Sequence, residues 1–503
     1  MNKVIIFNPR ATNSKPRLPI TILQVGVSIW GQYDFVLVDG NREDDPFSII
    51  ESYIKTGKFK YFACTVMPGP QLKQAITFTK KIREQFPEII TIWGGYFASN
   101  QHQVCIESEA VDYLVNGVGD IAFPALLDAL EAGGSLKKIK NLVYMEDGKI
   151  IKTPKVTMID IEAIPRLPYT FLEKFYSMDG YIGKTHLGKR TTQYHSSLGC
   201  PFTCSFCGIV PIFQARWKGK SAEVMFADIM YQKEKYQIDS VEFTDNNFFV
   251  SEKRVLEFSK LMKGQKINWW GEGRIDTMDK FSDETMSLLR DSGCKMIFLG
   301  AESGNDELLN EIDKGGTQTG DQMLTFAKRM KDFDIIPEYS FVLGFPGDSS
   351  EKVMEQIDSE ILYIKKIKEV NPDTEIIIYV YSPVPQEGSE MYEKVKDSGF
   401  RFPETLDDWL DDSWQNFDLR KNPLTPWLTA AMIDKIQNFE VVLNARYPTT
   451  QDIKLSDFQR NLIAKLANIR YKTNFYKAPY ELKALQKFWL KYRQPEIEGA
   501  ELI

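Results

Sequence analysis

The chain has 503 residues, 43% of them hydrophobic, and a formal net charge of -7 at pH 7. That length can bury two or three separate cores, and the acidic balance argues against a sequence-wide basic surface of the kind that binds nucleic acid. No apolar run approaches membrane-spanning length, the opening MNKVIIFNPR lacks a secretory pattern, and six cysteines in such a chain favour metal ligation or core packing over disulfides, so a cytoplasmic multidomain protein is expected.

Over residues 1–135, the runs VIIFN, DFVLVD, FKYFACTV, EIITIWGG and DYLVNG alternate with helix-compatible segments. QLKQAITFTKKIREQF is the clearest of these, with Leu72, Ala75, Ile76, Ile82 and Phe86 able to share one face. The alternation predicts an open, doubly wound, Rossmann-like parallel sheet, whose ligand would lie beyond the C-terminal ends of its strands. Asn8, Asp39, the Thr65–Pro70 loop and the Gly94-Gly95 pair gather there, although the pair alone equally suits a tight turn. Cys64, Cys105 and, further on, Cys294 read as packing cysteines, and His102 as a surface or helix-start residue.

Residues 136–185 read as a hairpin and linker. NLVYMEDGKIIKTPK suits a β-hairpin turning at Asp147-Gly148, and the proline-punctuated IPRLPY follows.

The next stretch, YHSSLGCPFTCSFCG, holds Cys200, Cys204 and Cys207 in CxxxCxxC spacing. A closed four-ligand site needs a fourth donor, and His195 is the only one nearby, so a zinc site with His195 or plain core cysteines stay open as alternatives. Three thiolates on a 4Fe-4S cluster instead leave one iron free to bind a small molecule and pass it an electron. With Phe206 just before the last cysteine, the motif resembles the radical S-adenosylmethionine (radical SAM) superfamily. The resemblance implies that the three cysteines hold a 4Fe-4S cluster, that SAM chelates the open iron, and that reductive cleavage gives methionine and a 5'-deoxyadenosyl radical. It also implies that Phe206 shields the cluster or packs near the adenine, and that an external donor such as flavodoxin or ferredoxin supplies the electron.

Residues 186–395 should then continue as strand-helix units. RTTQYHSS, SVEFTD, KINWW, KMIFLGA, IIPEYSFVLG and TEIIIYVY are strand-like, separated by segments with helical spacing for which Ser282 and Ser350 are candidate N-caps. Six such units predict a partial (β/α)6 TIM-like barrel with its working residues at the C-terminal strand ends. Those ends carry Asp245-Asn246-Asn247, Gly273-Arg274, Gly300 to Gly304, Gly344 to Gly347 and Ser382-Pro383. FTDNNF resembles the F-x-D-D-x-F segment of cobalamin-associated radical SAM proteins, implying that Asp245, Asn246 and Asn247 approach the SAM methionine group, with Asn246 in place of the second aspartate. FLGAESG resembles their G-x-E-S-G strand end, implying SAM or substrate contact at Glu302 and Ser303, while Arg274 could pair with the SAM carboxylate. VLGFPGD implies that Gly344, Phe345 and Pro346 lie near the adenine, with Asp348 where glutamate is more usual.

Residues 396–503 turn helical and aromatic, which predicts a C-terminal helical domain with Trp409, Trp414 and Trp427 in its core, able also to cover the active site.

Set beside the barrel, IWGGYFAS followed by VDYLVNGVGDIAFPALLDAL resembles the cobalamin-binding domains fused to radical SAM barrels. Tyr96-Phe97 stands where proline-histidine is frequent, Val118 and Asp120 replace glutamates, and no D-x-H-x-x-G motif occurs. The resemblance implies cobalamin held by Asn8, Thr65, Val66, Met67, Gly94, Gly95, Tyr96 and Gly117, without a histidine ligand, its lower side facing the Thr65–Gln71 loop. The implied activity is methylation of an unactivated carbon, less often phosphorus, in a small-molecule or peptide substrate. Oxidative cyclisation or rearrangement on the same architecture is the alternative. A tRNA methylthiotransferase would need three further cluster cysteines in the N-terminal domain, which has only Cys64 and Cys105, and a non-catalytic cobalamin carrier would not need the cysteine triad.

Overall fold

Each β-rich run of the N-terminal third forms one strand in the computed structural model, which describes residues 3–11, 16–162, 169–314, 317–382, 390–415, 424–449 and 455–489. The first sheet holds β1 (Lys3–Asn8), β2 (Phe35–Asp39), β3 (Phe59–Thr65), β4 (Ile90–Gly94), β5 (Tyr113–Val115), β6 (Leu142–Glu146) and β7 (Lys149–Lys152), in the order β2-β1-β3-β4-β5-β6-β7. The first five strands run parallel. Alternation along β1 sends Val4 and Ile6 to one face and Ile5 and Phe7 to the other, so both faces of the sheet are buried. Helices Ile20–Ser28 and Gly119–Ala132 cover the first face, and Pro46–Ile54 and Pro70–Gln85 the second.

The hairpin turns at Asp147 (φ +50°) and Gly148 (φ +72°), as its sequence requires. It differs from the expected linker in being the antiparallel edge of this sheet: Val143 of β6 registers with Leu114 of β5, and β7 pairs with β6. The IPRLP stretch lies outside the described residues.

The second sheet is the open barrel, with strands β8 (Thr191–Tyr194), β11 (Ser240–Phe243), β12 (Asn268–Gly273), β13 (Cys294–Glu302), β14 (Ile336–Leu343) and β15 (Glu375–Val380). All of its pairings are parallel. Between β8 and β11, the short strands β9 (Ser197–Gly199) and β10 (Trp217–Gly219) form a separate antiparallel pair. Ser282 caps its helix as expected, but Ser349, not Ser350, caps the helix Ser350–Val370. Ser349 is extended (φ -153°, ψ 163°), so its hydroxyl reaches the Lys352 amide, whereas Ser350 is already the first helical residue.

The first sheet's inner core runs unbroken into the barrel and on to the helices Ala430–Arg446, Asp457–Lys472 and Tyr480–Trp489. Its outer core is closed by the tail. Leu406 and Trp409 pack among the N-terminal residues, with Trp409 edge-on to Phe97 at 5.0 Å, and Asp407 pairs with Lys80. Cys64, Cys105 and Cys294 are buried packing residues. Trp414 and Trp427 are partly buried against the core. No helix among the described residues is long and apolar enough to cross a membrane.

Candidate active site

The loop between β9 and β10 carries the three clustered cysteines. Gly199 opens it at φ +75°, where a Cβ would stand 2.2 Å from the Arg216 carbonyl oxygen, so only glycine fits. Cys204 is buried and Cys200 and Cys207 are half-buried. Burial pushes the Cys207 thiol up to about 11 and Cys200 also upward, and the Cys204 thiol adds to both.

Two cations flank these sulfurs. Arg274 Nη1 lies 3.2 Å from Cys204 Sγ, and the charge of Lys314 acts on Cys207. On the other side Asn247 Nδ2 lies 3.8 Å from Cys200 Sγ. Among the described residues no group of three or more His, Cys, Asp or Glu side chains is gathered tightly enough for a single metal ion. His195 is turned elsewhere, with Nδ1 2.9 Å from the Thr244 carbonyl oxygen. Soft thiols with cations and an amide donor behind them suit an anionic iron-sulfur cluster, whose charge such groups offset.

The other strand-end residues hold one another. Asp245 is fully buried and accepts from the Ser196 amide at 3.1 Å, the Ser196 hydroxyl at 2.8 Å and the Ser197 hydroxyl, so it braces the start of β9. Asn246 reaches the cavity described below, and the buried Asn247 accepts from Trp217 Nε1 at 3.0 Å through its carbonyl. Arg274, expected to meet a SAM carboxylate, already makes a two-point contact with Asp276, Nε to Oδ1 and Nη2 to Oδ2 both at 2.9 Å. Its guanidinium also lies 3.9 Å above the Phe202 ring. Burial lowers the Arg274 pKa, but Asp276 and the thiols of Cys204 and Cys200 outweigh that and raise it.

Glu302 sits in the left-handed region (φ +64°) and pairs with Lys314 at 2.5 Å, with side chains only 9% and 4% exposed. A Cβ at Gly300 would come within 2.4 Å of Glu302 Oε1 and 2.5 Å of Lys314 Nζ, so the glycine makes room for the pair. Ser303 donates to Glu360, which also accepts from the Gly304 amide at 2.8 Å; burial raises the pKa of Glu360. The Gly344 carbonyl (φ +86°) accepts from Trp427 Nε1 at 3.0 Å, so the tail reaches this strand end. Phe345 packs on Tyr381 at 4.5 Å and Pro346 is buried beside it. Phe206 is half-buried against the core, Ser382 is buried, and Pro383 lies outside the described residues. Sequence reasoning missed Asp276, Lys314 and Glu360. Asp276, two residues after Arg274, was the one with a local signal.

A cavity of about 1080 Å³ opens between the first sheet and the barrel mouth. Its floor comes from the C-terminal ends of the first sheet, around the point where strand order reverses between β1 and β3: Asn8, Thr65, Met67 and, from β4 and beyond, Gly94, Gly95 and Tyr96. Gly117 joins them, but Val66 does not. Val66 is fully buried, its amide donating to Gly94 O at 3.0 Å and its carbonyl accepting from Phe97 N at 2.9 Å. Gly95 (φ +91°) has no room for a side chain, since a Cβ would stand 2.8 Å from Thr65 Oγ1. Gln71 fixes the Thr65–Gln71 loop, accepting from the Met67 amide at 2.9 Å and donating to the Pro9 carbonyl at 3.0 Å.

The barrel contributes Gln193, His195, Lys220 and Asn246 to the opposite wall. A carbonyl can only accept, so His195 Nδ1 is the donor in this contact. No signal in the sequence placed Gln193, His195 or Lys220 on this wall.

The radical SAM superfamily model matches residues 194–359. An uncharacterised methyltransferase of Pyrococcus horikoshii is 28% identical over 353 residues, covering 69% of this chain and 73% of that protein. The anaerobic magnesium-protoporphyrin IX monomethyl ester cyclase of Rubrivivax gelatinosus is 23% identical over 478 residues, covering 89% and 78%. Among solved structures, the cobalamin-dependent S-adenosylmethionine radical enzyme OxsB with aqua-cobalamin and S-adenosylmethionine bound aligns with a TM-score of 0.69 at 14% identity, over 97% of this chain and 75% of that one. The methyltransferase TsrM from Kitasatospora setae, with cobalamin and a [4Fe-4S] cluster bound, aligns at 0.59 and 17%, over 80% and 76%. At these identities the structural likeness shows the fold. The match to the radical SAM model spans the cysteine loop and most of the barrel, a domain whose cofactors are a 4Fe-4S cluster and SAM, and together with the methyltransferase-named relative it marks the protein as an enzyme.

Proposed function

We propose that this enzyme is a cobalamin-dependent radical SAM methyltransferase, with cobalamin in the cavity between the two sheets and an unactivated carbon, less often phosphorus, as the methyl acceptor. The observation that carries the reading is that one cavity is bounded both by the ligand-binding edge of a doubly wound sheet and by the mouth of the cluster-bearing barrel. Its volume, about 1080 Å³, lies above the usual range for a drug-sized ligand, as a bulky cofactor requires. The methyltransferase relative and the cobalamin-bound structural neighbours support the same assignment.

When bound, the cluster and SAM would supply one-electron chemistry and a methyl source, and cobalamin would carry the methyl group. The chain's part is to bind and enclose. Cys200, Cys204 and Cys207 would ligate the cluster, and Arg274 and Lys314 would offset its charge. Asn246, Glu302, Ser303 and the Gly344–Pro346 turn would border SAM, while Ile209, Ile212 and Phe213 give the cavity a water-excluding wall. Electrons would come from a separate donor such as flavodoxin or ferredoxin. Oxidative cyclisation is the second reading, favoured by the match to the cyclase over most of the chain.

Protein prepared without oxygen and supplied with iron, sulfide and hydroxocobalamin should retain close to one cobalamin per chain, read by absorbance and by mass spectrometry of an extract. Gly95→Val should abolish that retention, because its side chain would meet Thr65 Oγ1 and the Val66 backbone within about 3 Å, while leaving iron content intact. Wild-type protein that forms its cluster and cleaves SAM yet retains no cobalamin would overturn the proposal in favour of a cobalamin-independent radical enzyme.

A further inference from the structure

The segment directly after the last cluster cysteine is tied to the N-terminal domain at three places. The Tyr96 hydroxyl packs directly against Gly208, and the Gly208 carbonyl accepts from Asn100 Nδ2 at 3.0 Å. The fit is tight enough that a Cβ on Gly208 would stand 1.6 Å from the Tyr96 oxygen. Three residues further on, the Pro211 carbonyl accepts from Lys155 Nζ at 2.8 Å, and the same ammonium donates to Asn116 Oδ1 at 2.8 Å.

These ties converge on the cavity. Tyr96 lines its floor, and Asn100 ends the short helix that Tyr96 begins. Gly117 also lines it, and a Cβ there would lie 3.2 Å from Lys155 Cε, so Lys155 passes directly behind that loop. The tethered segment reaches the same space, since Ile209, Ile212 and Phe213 form part of the cavity wall. Burial lowers Lys155 to about 8, the cost of keeping an ammonium at this junction with two oxygen acceptors. Any ligand that presses on Tyr96 or on the Gly117 loop therefore presses on backbone covalently continuous with Cys207.

We propose that Tyr96, Asn100 and Lys155 are positioning residues that couple the cavity to the cluster, by fixing the backbone that follows Cys207 from the opposite domain. The coupling rests on the reading of the cavity as a cobalamin site, whereas the tether itself does not. Coupling of this kind is reciprocal: if cobalamin alters the cluster's electron affinity, the cluster's redox state alters cobalamin affinity by the same factor.

The test uses full-length protein reconstituted without oxygen, with the cluster's midpoint potential and reduced-state EPR signal measured with and without hydroxocobalamin. An about fivefold to tenfold change in the cluster's redox equilibrium is expected on cobalamin binding in the wild type. A tenfold change corresponds to about 59 mV for one electron. Tyr96→Phe and Lys155→Met should each lose at least about half of that shift while keeping wild-type iron and sulfide content and thermal midpoint. Asn100→Ala supplies the same readout should either of the others fold poorly. A wild-type potential and EPR signal insensitive to cobalamin, or variants that keep the full shift, would overturn the coupling. If the wild type binds no cobalamin, the cavity reading fails separately, and the tether is then read in cobalamin-free protein. There Tyr96→Phe must still change the reduced cluster's EPR signal, and an unchanged signal overturns the positioning role.

Discussion

Replacing Cys204 with alanine should lower SAM cleavage by at least about 1000-fold, a loss of about 4 kcal/mol in transition-state stabilisation, and should remove the cluster's visible absorbance. Cys204 is the most enclosed of the three cysteines, and its sulfur is the one that Arg274 approaches. A cluster with one open iron needs all three protein thiolates, and no fourth cysteine stands close in sequence to replace one. The loop itself should survive. Gly199 and the β9-β10 pairing set its geometry, and the Ser205 amide donates to the Ile312 carbonyl at 3.1 Å independently of the thiol. Losing one buried sulfur should therefore cost only about 1 kcal/mol of stability. The comparison to make is anaerobic absorbance and 5'-deoxyadenosine production against the wild type, with circular dichroism to confirm folding. SAM cleavage that persists at wild-type rates would remove the three cysteines from the centre of the chemistry.

Arg274→Gln should be the most damaging single change outside the cysteine loop, destabilising the protein by about 3–5 kcal/mol. Arg274 and Asp276 are 8% and 2% exposed at their side chains, so removing the cation strands a buried carboxylate. Asp276 is held below the usual carboxylate range: burial raises its pKa, but the bonds and charge from Arg274 outweigh this. The double variant Arg274→Gln/Asp276→Asn should recover most of the stability, because no charge is then left unpaired. It should not recover cluster assembly, since the cation beside Cys204 is still missing. Denaturant unfolding together with iron content per chain separates the two effects. A double variant that regains both would make Arg274 a purely structural partner of Asp276, whereas a single variant of wild-type stability would show that the buried pair is dispensable.

What could be read from sequence follows the physics of each feature. The parallel strands were legible because strands buried on both faces are dense in β-branched and aromatic residues, as in VIIFN and TEIIIYVY. The hairpin was legible as a hairpin, yet its place at the sheet edge was not, because antiparallel pairing to Tyr113–Val115 leaves no mark on either partner. At the site, the cysteine spacing and the strand-end glycines were visible because each is a local requirement. The hydrogen-bond economy was not: Asp245 to Ser196, Glu302 to Lys314 and Ser303 to Glu360 bring together groups from different elements. Nothing in CTVMPG indicated that Val66 would turn inward between Thr65 and Met67, which line the cavity.

The placing of Trp409 among N-terminal residues bears on how the chain can be made. Leu406 and Trp409 complete the outer core of a sheet whose own strands end at Lys152, so the ribosome must finish the entire barrel before that core can close. At about 5–20 residues per second, the nascent N-terminal domain waits on the order of tens of seconds with the apolar surface around Phe97 uncovered. Apolar surface left uncovered during synthesis is prone to non-native association. A ribosome stalled after the barrel but before residue 400 should display an N-terminal domain markedly more sensitive to protease than the same residues in the finished protein.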